Sequence, residues 1–342
     1  MPATIRARAP LRLAFGGGGT DVSPYADERG GLVLNATINR YAYVTLRPND
    51  TGVVTLRSLD YGESLSFLAS EGVPGDEGAM TLACGVLRRL GLLDDEPRQG
   101  FDLYTHTDCP PGSGLGASST MVVALIGAFE AWRRRGLDRY EVAQLAYSIE
   151  REDLGMQGGK QDQYAAAFGG FNFMEFERDR VLVNPLRIPD ETLFELEYAM
   201  VLAYTGRSRV SSQILEQQIS NFKTGVERSV AGMDRTKALA IEMKRALLTG
   251  DLGTFGGVLH EAWEAKKEMA ASITNPQIES IYAAAREAGA LGGKVSGAGG
   301  GGFMFFFADF GRRHAVIEAI AEHGAEPVHF GFTGRGLETW VR

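Results

Sequence analysis

Three glycine-rich stretches, a cluster of hydroxyls and a few isolated charges are the residues of this chain whose spacing could do chemistry. The stretch Cys109–Met121, CPPGSGLGASSTM, carries Gly112, Gly114 and Gly116, then Ala117, Ser118, Ser119 and Thr120, and runs into a long apolar helix pattern. Glycine lets a backbone turn sharply and approach a bulky anion. The free N–H groups at a helix start, with the positive end of its dipole, attract phosphate. The hydroxyls can cap the helix or reach a metal ion; taken by itself, the stretch reads equally well as a tight strand-to-helix turn with serine caps. A second loop, Gly16-Gly17-Gly18-Gly19-Thr20-Asp21, follows an alternating strand at once. Glycines in a row cost backbone entropy, which points to a ligand or another backbone passing close by. A third, Lys294–Gly302 (KVSGAGGGG), leads into the apolar run Phe303–Phe307. Between them lie Glu150, at the edge of a helical apolar stripe, and Lys160 and Asp162, in the polar stretch GMQGGKQDQ. A carboxylate such as Glu150, turned partly inward, needs a partner, since burying it alone is costly.

The elements that must position these residues read as follows. Residues 4–15 alternate Ile5, Ala7, Ala9, Leu11, Leu13 and Phe15 against Arg6, Arg8 and Arg12, a period of two, with Pro10 marking a bulge or an edge. Residues 31–47, 52–58 and 101–107 are further strands, rich in β-branched and aromatic residues. Helices are expected over 79–91, over Ser118–Arg135 before Gly136, and from an Asp138 N-cap to Leu154 with the stripe Val142, Leu145, Ala146 and Ile149. Pro185 and Pro189 interrupt the pattern and suggest a boundary, giving halves 1–186 and 187–342. The second half opens with an alternating strand, Phe194–Tyr204. TGRSRVSS then enters a helix, long amphipathic helices follow near 225–249, 252–271 and 276–289, and a final helix at 311–323 precedes two short strands. Strands and helices mix without strict βαβ alternation, so the fold class is α+β in two parts.

Bulk properties narrow the function. The chain has 342 residues, 44% hydrophobic and 23% charged, with a net charge of −8, which argues against a general nucleic-acid or anionic-membrane binder. Two cysteines are too few for a disulfide framework or a cysteine zinc site, and the five histidines have no metal-ligand spacing. No signal-peptide block or membrane-spanning run is seen, so a cytoplasmic protein is expected, without nucleic acid or membrane as partner. The central loop lacks the Gly-Lys-Ser/Thr ending of a P-loop, it is not a dinucleotide fingerprint, and the protein-kinase motifs are missing.

Taken together, the three loops resemble the motifs of the GHMP kinases. Ala9-Pro10-Leu11-Arg12 through Gly16–Asp21 looks like the first motif, Pro110–Ser119 the second, and Lys294–Gly302 the third, in the family's order and across nearly the whole chain. The resemblance implies an N-terminal domain like the second domain of ribosomal protein S5 and a ferredoxin-like C-terminal domain, with ATP between them. It implies that Pro111, Gly112, Ser113, Gly114, Leu115, Gly116, Ala117, Ser118 and Ser119 hold the nucleotide, and that Ser118 and Glu150 ligate Mg²⁺. Asp162 would be the catalytic base, with Arg12 beside it and the transferred phosphoryl group. Gly18, Gly19, Thr20 and Asp21 would contact the substrate, Asp21 through a sugar hydroxyl, as would Gly299 and Gly300. Ala117 departs from the pattern, standing where many members have a first serine; Ser119 is then left to cap the helix.

Within the family, GGGGTD, PPGSGLG, YTGRSRVSSQIL and NPQIESIY are similar to the branch that phosphorylates the anomeric hydroxyl of heptose 7-phosphates, and L-fucose kinases share much of this pattern. A sugar phosphate needs a basic contact. Arg207 and Arg209, with Ser208, Ser211 and Ser212 at a helix start, are the leading candidates. Lys266 and Lys267 are weaker, since a charged pair on a helix is usually a solvated face, and Lys160 could serve substrate or structure. A non-catalytic sensor of ATP and sugar is the alternative from another class, although candidates for base and metal ligand are both retained. A homodimer is left open.

Overall fold

The computed structural model describes residues 3–75, 78–94, 99–206 and 211–342. Its first sheet is built on two long strands, β1 (Ile5–Gly16) and β2 (Gly31–Asn49), joined through the short helix α1 (Tyr25–Arg29). The sheet also takes β3 (Val53–Ser58), β4 (Glu63–Leu68) and β5 (Gly100–Thr107), with the order β12-β1-β2-β5-β3-β4; β6 (Phe171–Phe176) and β7 (Val181–Pro185) extend it from β2, and β12 is Glu338–Val341. All its pairings are antiparallel except β3 with β5. The register of β1 on β2 shifts between Pro10 and Arg12, the irregularity that Pro10 announces.

Helices α2 (Thr81–Arg89), α3 (Ala117–Arg133), α4 (Arg139–Ser148) and α5 (Gln161–Phe168) contribute Val86, Leu125, Ala146 and Ala166 to one core with Val44, Leu46, Leu56 and Leu103 of the sheet. Asp138 caps α4 through a reciprocal capping box with Glu141.

The second half carries α6 (Asp190–Ala199), β8 (Met200–Tyr204), α7 (Ser211–Lys223), α8 (Glu227–Thr249), α9 (Leu252–Lys267), α10 (Pro276–Ala288), β9 (Ala290–Val295), β10 (Phe303–Ala308), α11 (Arg313–Glu322) and β11 (Glu326–Val328). Its strands form a four-stranded antiparallel sheet in the order β11-β8-β10-β9. The alternating strand expected over Phe194–Tyr204 is a helix up to Ala199. Phe194 and Tyr198 alternate with Leu196 and mimic a strand, yet they lie exposed one turn apart while Leu196 and Ala199 face inward.

The two halves share a core. Leu11, Leu13 and Phe15 of β1 pack with Met243 of α8, Phe255 and Leu259 of α9, and Phe305 of β10. Phe15 is fully buried, with edge contacts to Phe255 at 5.5 Å and Phe305 at 5.7 Å. The strand that ends in the first glycine loop is thereby clamped to the second half. Phe15→Ala is expected to cost about 3–5 kcal/mol, measured by denaturant unfolding; a loss below about 1 kcal/mol would show that the halves do not depend on this ring.

Candidate active site

Arg12 lies on β1 just past the register shift and is only 3% exposed. Its Nε donates to Asp162 Oδ1 at 2.7 Å, and its terminal nitrogen donates to the Gly114 carbonyl at 2.7 Å and to Ser296 Oγ at 3.2 Å. One guanidinium therefore joins the central glycine loop, the third loop and the polar stretch before α5. A buried cation needs this many partners.

The central and third loops meet backbone to backbone. Ser296 Oγ donates to the Gly114 carbonyl at 3.0 Å, and Phe303 N–H donates to the Ser113 carbonyl at 2.9 Å. A Cβ on Gly114 would lie 2.6 Å from the Ser296 carbonyl, and one on Gly297 the same distance from that of Gly114; both residues have positive φ. Only glycine permits this approach. Helix α3 begins after Gly116, in the left-handed region at φ 78°, with no side-chain cap, so the first N–H groups of a 17-residue helix are left for a ligand. Among the described residues the buried Ser113 hydroxyl on the same loop has no partner either. Both features fit a bound triphosphate. Ser119 is not the expected cap: it is buried, its Oγ accepts from Gln163 Nε2 at 3.1 Å, and its hydroxyl bonds Glu150.

Glu150 lies in a π-helical turn, Ile149–Asp153, that continues α4; such turns redirect side chains and are frequent at functional sites. The carboxylate is 1% exposed and accepts from Gln163 Nε2 at 2.5 Å, with an Arg151 nitrogen 3.8 Å away. Burial pushes its pKa up, against the pull of Arg151 and of the Ser119 and Gln163 hydrogen bonds. Arg151 also donates to the carbonyls of Met156, Gln157 and Gly159, pinning the segment before α5.

Asp162 stands in the first turn of α5, and a Cβ on Gly116 would come within 3.0 Å of its carboxyl carbon. Its neighbour Gln161 donates from the backbone to Asp21 Oδ2 and from the side chain to Asp21 Oδ1, both at 3.1 Å. Asp21, 2% exposed, also accepts from Gly19 N–H at 3.1 Å. A cavity of about 760 Å³ is lined by Arg12, Gly19, Asp21, the segments Pro111–Gly114 and Gly116–Ser119, Glu150 and Asp162. The exposed Ser118 hydroxyl and the Glu150 carboxylate face it as an all-oxygen pair, the donor type that Mg²⁺ takes alongside water and phosphate. Among the described residues no group of three or more His, Cys, Asp or Glu could hold a metal by itself. A smaller recess adjoins the cavity at Pro111, Ala117 and Ser118 and is walled by Tyr61, Met80, Leu82, Met121 and Leu125.

Several expected contacts fall elsewhere. Lys160 does not line the cavity and donates to the carbonyls of Glu177 and Arg178 at 3.1 and 3.2 Å, with Asp27 at 3.7 Å, contacts that fit the structural one of its two expected roles. Gly299 and Gly300 pack on the Ile273 backbone, Gly300 N–H donating to its carbonyl at 2.8 Å, and do not line the cavity; Gly297 and Ala298 do. Thr20 is buried and bonds the carbonyls of Gly17 and Leu32. Leu115 is buried in the shared core and Gly18 lies behind the cavity wall beside Gln161. Arg207 and Arg209 lie outside the described residues. Lys266 is not on a solvated face: it is 2% exposed and lines the cavity. Gln161, Gln163, Gln218 and Arg151 were not anticipated, although Gln161 and Gln163 flank Asp162 in the sequence.

Comparison with known proteins finds relatives along nearly the whole chain. Residues 80–170 match the family model described as GHMP kinases N terminal domain, and residues 243–326 the one described as GHMP kinases C terminal. The chain is 43% identical over 338 residues to D-glycero-alpha-D-manno-heptose 7-phosphate kinase of Campylobacter jejuni, covering 98% of this chain and 99% of the relative. The crystal structure of a D-glycero-D-manno-heptose 1-phosphate kinase from Bacteriodes thetaiotaomicron superposes with a TM-score of 0.82 at 41% identity, covering 98% of each chain. L-fucokinase/L-fucose-1-P guanylyltransferase of Bacteroides fragilis is 28% identical over 89% of this chain, which spans 34% of that longer protein.

Since burial raises the Glu150 pKa, protonation favours the fold: the stability it brings is full below the ordinary carboxylate range and is lost as pH rises through the raised value. In metal-free protein at pH 7.5, Glu150→Gln is expected to raise Tm by about 2–4 °C per kcal/mol of relieved charge burial. The gap should close toward pH 4. A lower Tm for the variant at pH 7.5 would contradict the sign.

Proposed function

The chain belongs to the GHMP kinase family, and on that premise we propose that it phosphorylates the anomeric hydroxyl of D-glycero-D-manno-heptose 7-phosphate at the expense of ATP, giving the 1,7-bisphosphate. The observation that carries the reading is the contact of the Asp162 carboxyl with Gly116, where the glycine loop enters α3. A group that can take a proton there abuts the N–H groups that would hold a triphosphate. The choice of sugar is supported by the Campylobacter jejuni relative, whose similarity runs the full length of the chain.

In this reading the triphosphate lies along Gly112–Ser119 at the α3 start, and the adenine occupies the recess walled by Tyr61, Met80 and Met121. Ser118 and Glu150 would hold Mg²⁺, which supplies charge neutralisation on the phosphate oxygens. Asp162 Oδ1 is held by Arg12, which leaves Oδ2 to accept the proton of the anomeric hydroxyl as its oxygen attacks the γ-phosphorus. The new bond forms from that oxygen to phosphorus, the bond from phosphorus to the ADP oxygen breaks, and the Arg12 guanidinium offsets the developing charge. Asp21 accepts a hydrogen bond from a sugar hydroxyl and fixes the ring. Residues 1–186 form the nucleotide-binding half and 187–342 the second half, β12 returning to the first sheet. The similarity to the Bacteroides fragilis fucokinase favours, as a second reading, an unphosphorylated sugar as acceptor.

A panel of sugars and sugar phosphates with Mg-ATP, assayed for ADP release, separates these readings. Turnover of the heptose 7-phosphate above L-fucose is expected; preference for L-fucose would install the second reading. ATP binding with no ADP release for any sugar would leave a sensor. Asp162→Asn is expected to lower kcat by about 10²–10⁴-fold while the Kd for ATP stays within about threefold, and undiminished turnover would remove Asp162 from the mechanism.

A further inference from the structure

We propose that Lys266 is a specificity-determining residue on the acceptor side: its ammonium and the Asp21 carboxylate form a donor–acceptor pair that binds neighbouring hydroxyls of the acceptor sugar. The proposal rests on the kinase reading above and names a residue that reading does not use.

The last turn of α9 carries two lysines with different fates. Lys267 pairs with Glu264 at 2.8 Å and Glu279 at 3.5 Å near the surface. Lys266, one residue earlier, is carried inward by the docking of Phe255, Leu259, Ala262 and Ala265 into the shared core, and it ends 2% exposed in the cavity wall. Among the described residues its ammonium makes one hydrogen bond, to the Gly18 carbonyl at 3.3 Å. An ammonium has three donors, so two are left for a ligand, and burying them unpaired is costly.

Asp21 faces the same cavity from the opposite half of the molecule. It holds three hydrogen bonds, from Gly19 N–H, Gln161 N–H and Gln161 Nε2, and a carboxylate has about four acceptor sites. A sugar hydroxyl can donate to Asp21 while its neighbour accepts from Lys266. A site built to pair each hydroxyl rejects an analogue lacking it, because the buried partner is then left alone.

Placement on the acceptor side follows from Gly18. A Cβ there would lie 3.8 Å from Gln161 Nε2 and 3.9 Å from Lys266 Nζ, so lysine, glutamine and Asp21 form one wall next to the residue that precedes Asp162. The triphosphate loop meets Asp162 from its other neighbour, Gly116. Gln218 Nε2 donates to the Gly19 carbonyl at 2.9 Å and holds the first loop in place beside this wall.

The charged groups facing the ammonium are Asp21, after β1, Arg12 on β1, and the buried Lys294 on β9; Glu264 and Lys267 lie on its own helix. Burial and Arg12 bring its pKa down to about 8, against the pull of Asp21. The ammonium is the stronger donor and has one more N–H than the neutral amine, so acceptor binding weakens as pH rises through that value.

The test is Lys266→Met, which keeps the length of the side chain and removes the charge, assayed with the acceptor that the wild type turns over best. The acceptor KM should rise about 10–100-fold, the KM for ATP should stay within about twofold, and Tm should not fall. The wild-type profile of kcat/KM for the acceptor at saturating ATP should have an alkaline limb near pH 8 that the variant lacks, and that profile tests the point without any substitution. An active wild type whose Lys266→Met variant keeps both its acceptor KM and the alkaline limb overturns this inference alone. A wild type that turns over no sugar overturns the kinase reading, and this one with it.

Discussion

Burial of the Arg12 guanidinium is the constraint on which the rest of the site depends. A cation that is 3% exposed is tolerable only if its donors are matched, and the matching groups come from separate parts of the chain: Asp162, Gly114 and Ser296. Satisfying one side chain therefore fixes the central loop, the third loop and the start of α5 against each other. The strand that carries Arg12 is itself held to the second half by Phe15, three residues on, so the site is framed by apolar packing on one side and by one buried charge on the other. Removing a single partner would leave a buried charge uncompensated, the costly case for buried ion pairs.

The glycines follow from this closeness. Where Gly114 and Gly297 cross, each stands against the other segment's backbone, and a Cβ on Gly159 would collide with the Asp21 carboxylate. Absence of side chains brings Asp21, Asp162 and the α3 start around one cavity, so the chemistry depends on residues that supply none of it. The serine cluster divides along the same logic. Ser118 is left open to the cavity, whereas Ser119 is drawn inward by the buried pair of Gln163 and Glu150.

Much of this was legible in the sequence, and what was not has physical causes. Glycine loops announce themselves because consecutive glycines have few uses, and the Asp138 cap is a local signal that the structure repeats, whereas the strand's alternation of burial holds only over Ile5–Arg8 and Arg12 is buried with its neighbours. Glu150 was visible as a carboxylate at the edge of an apolar stripe, but the π turn that presents it is not encoded in any period. Phe194–Ala199 misled because a short run of alternating aromatics fits a strand as well as a half-exposed helix. Lys266 is underrated and Lys160 left open between two roles for one reason: where a lysine's long stem ends is set by how its helix or loop docks, which is tertiary information. The recess beside Ser118 draws on residues from distant parts of the chain and has no motif at all.

Charge arithmetic at the cavity links these observations. Among the described residues its lining holds three cations, Arg12, Arg151 and Lys266, and four carboxylates, Asp21, Glu150, Asp162 and Glu216. A wall with one more acid than base, in a chain of net charge −8, is a poor receptor for a free triphosphate by Coulomb attraction alone. Backbone N–H groups at the uncapped α3 start contribute partial positive charge without a counterion, and they cannot titrate away. The remaining compensation has to arrive with the nucleotide. Glu150, kept buried at a raised pKa, would gain from an incoming cation, since a metal ion would relieve the burial penalty that disfavours its ionised form. A metal ion and a triphosphate arriving together would therefore suit this wall better than either singly, with the buried Glu150 carboxylate as the group that a cation would relieve.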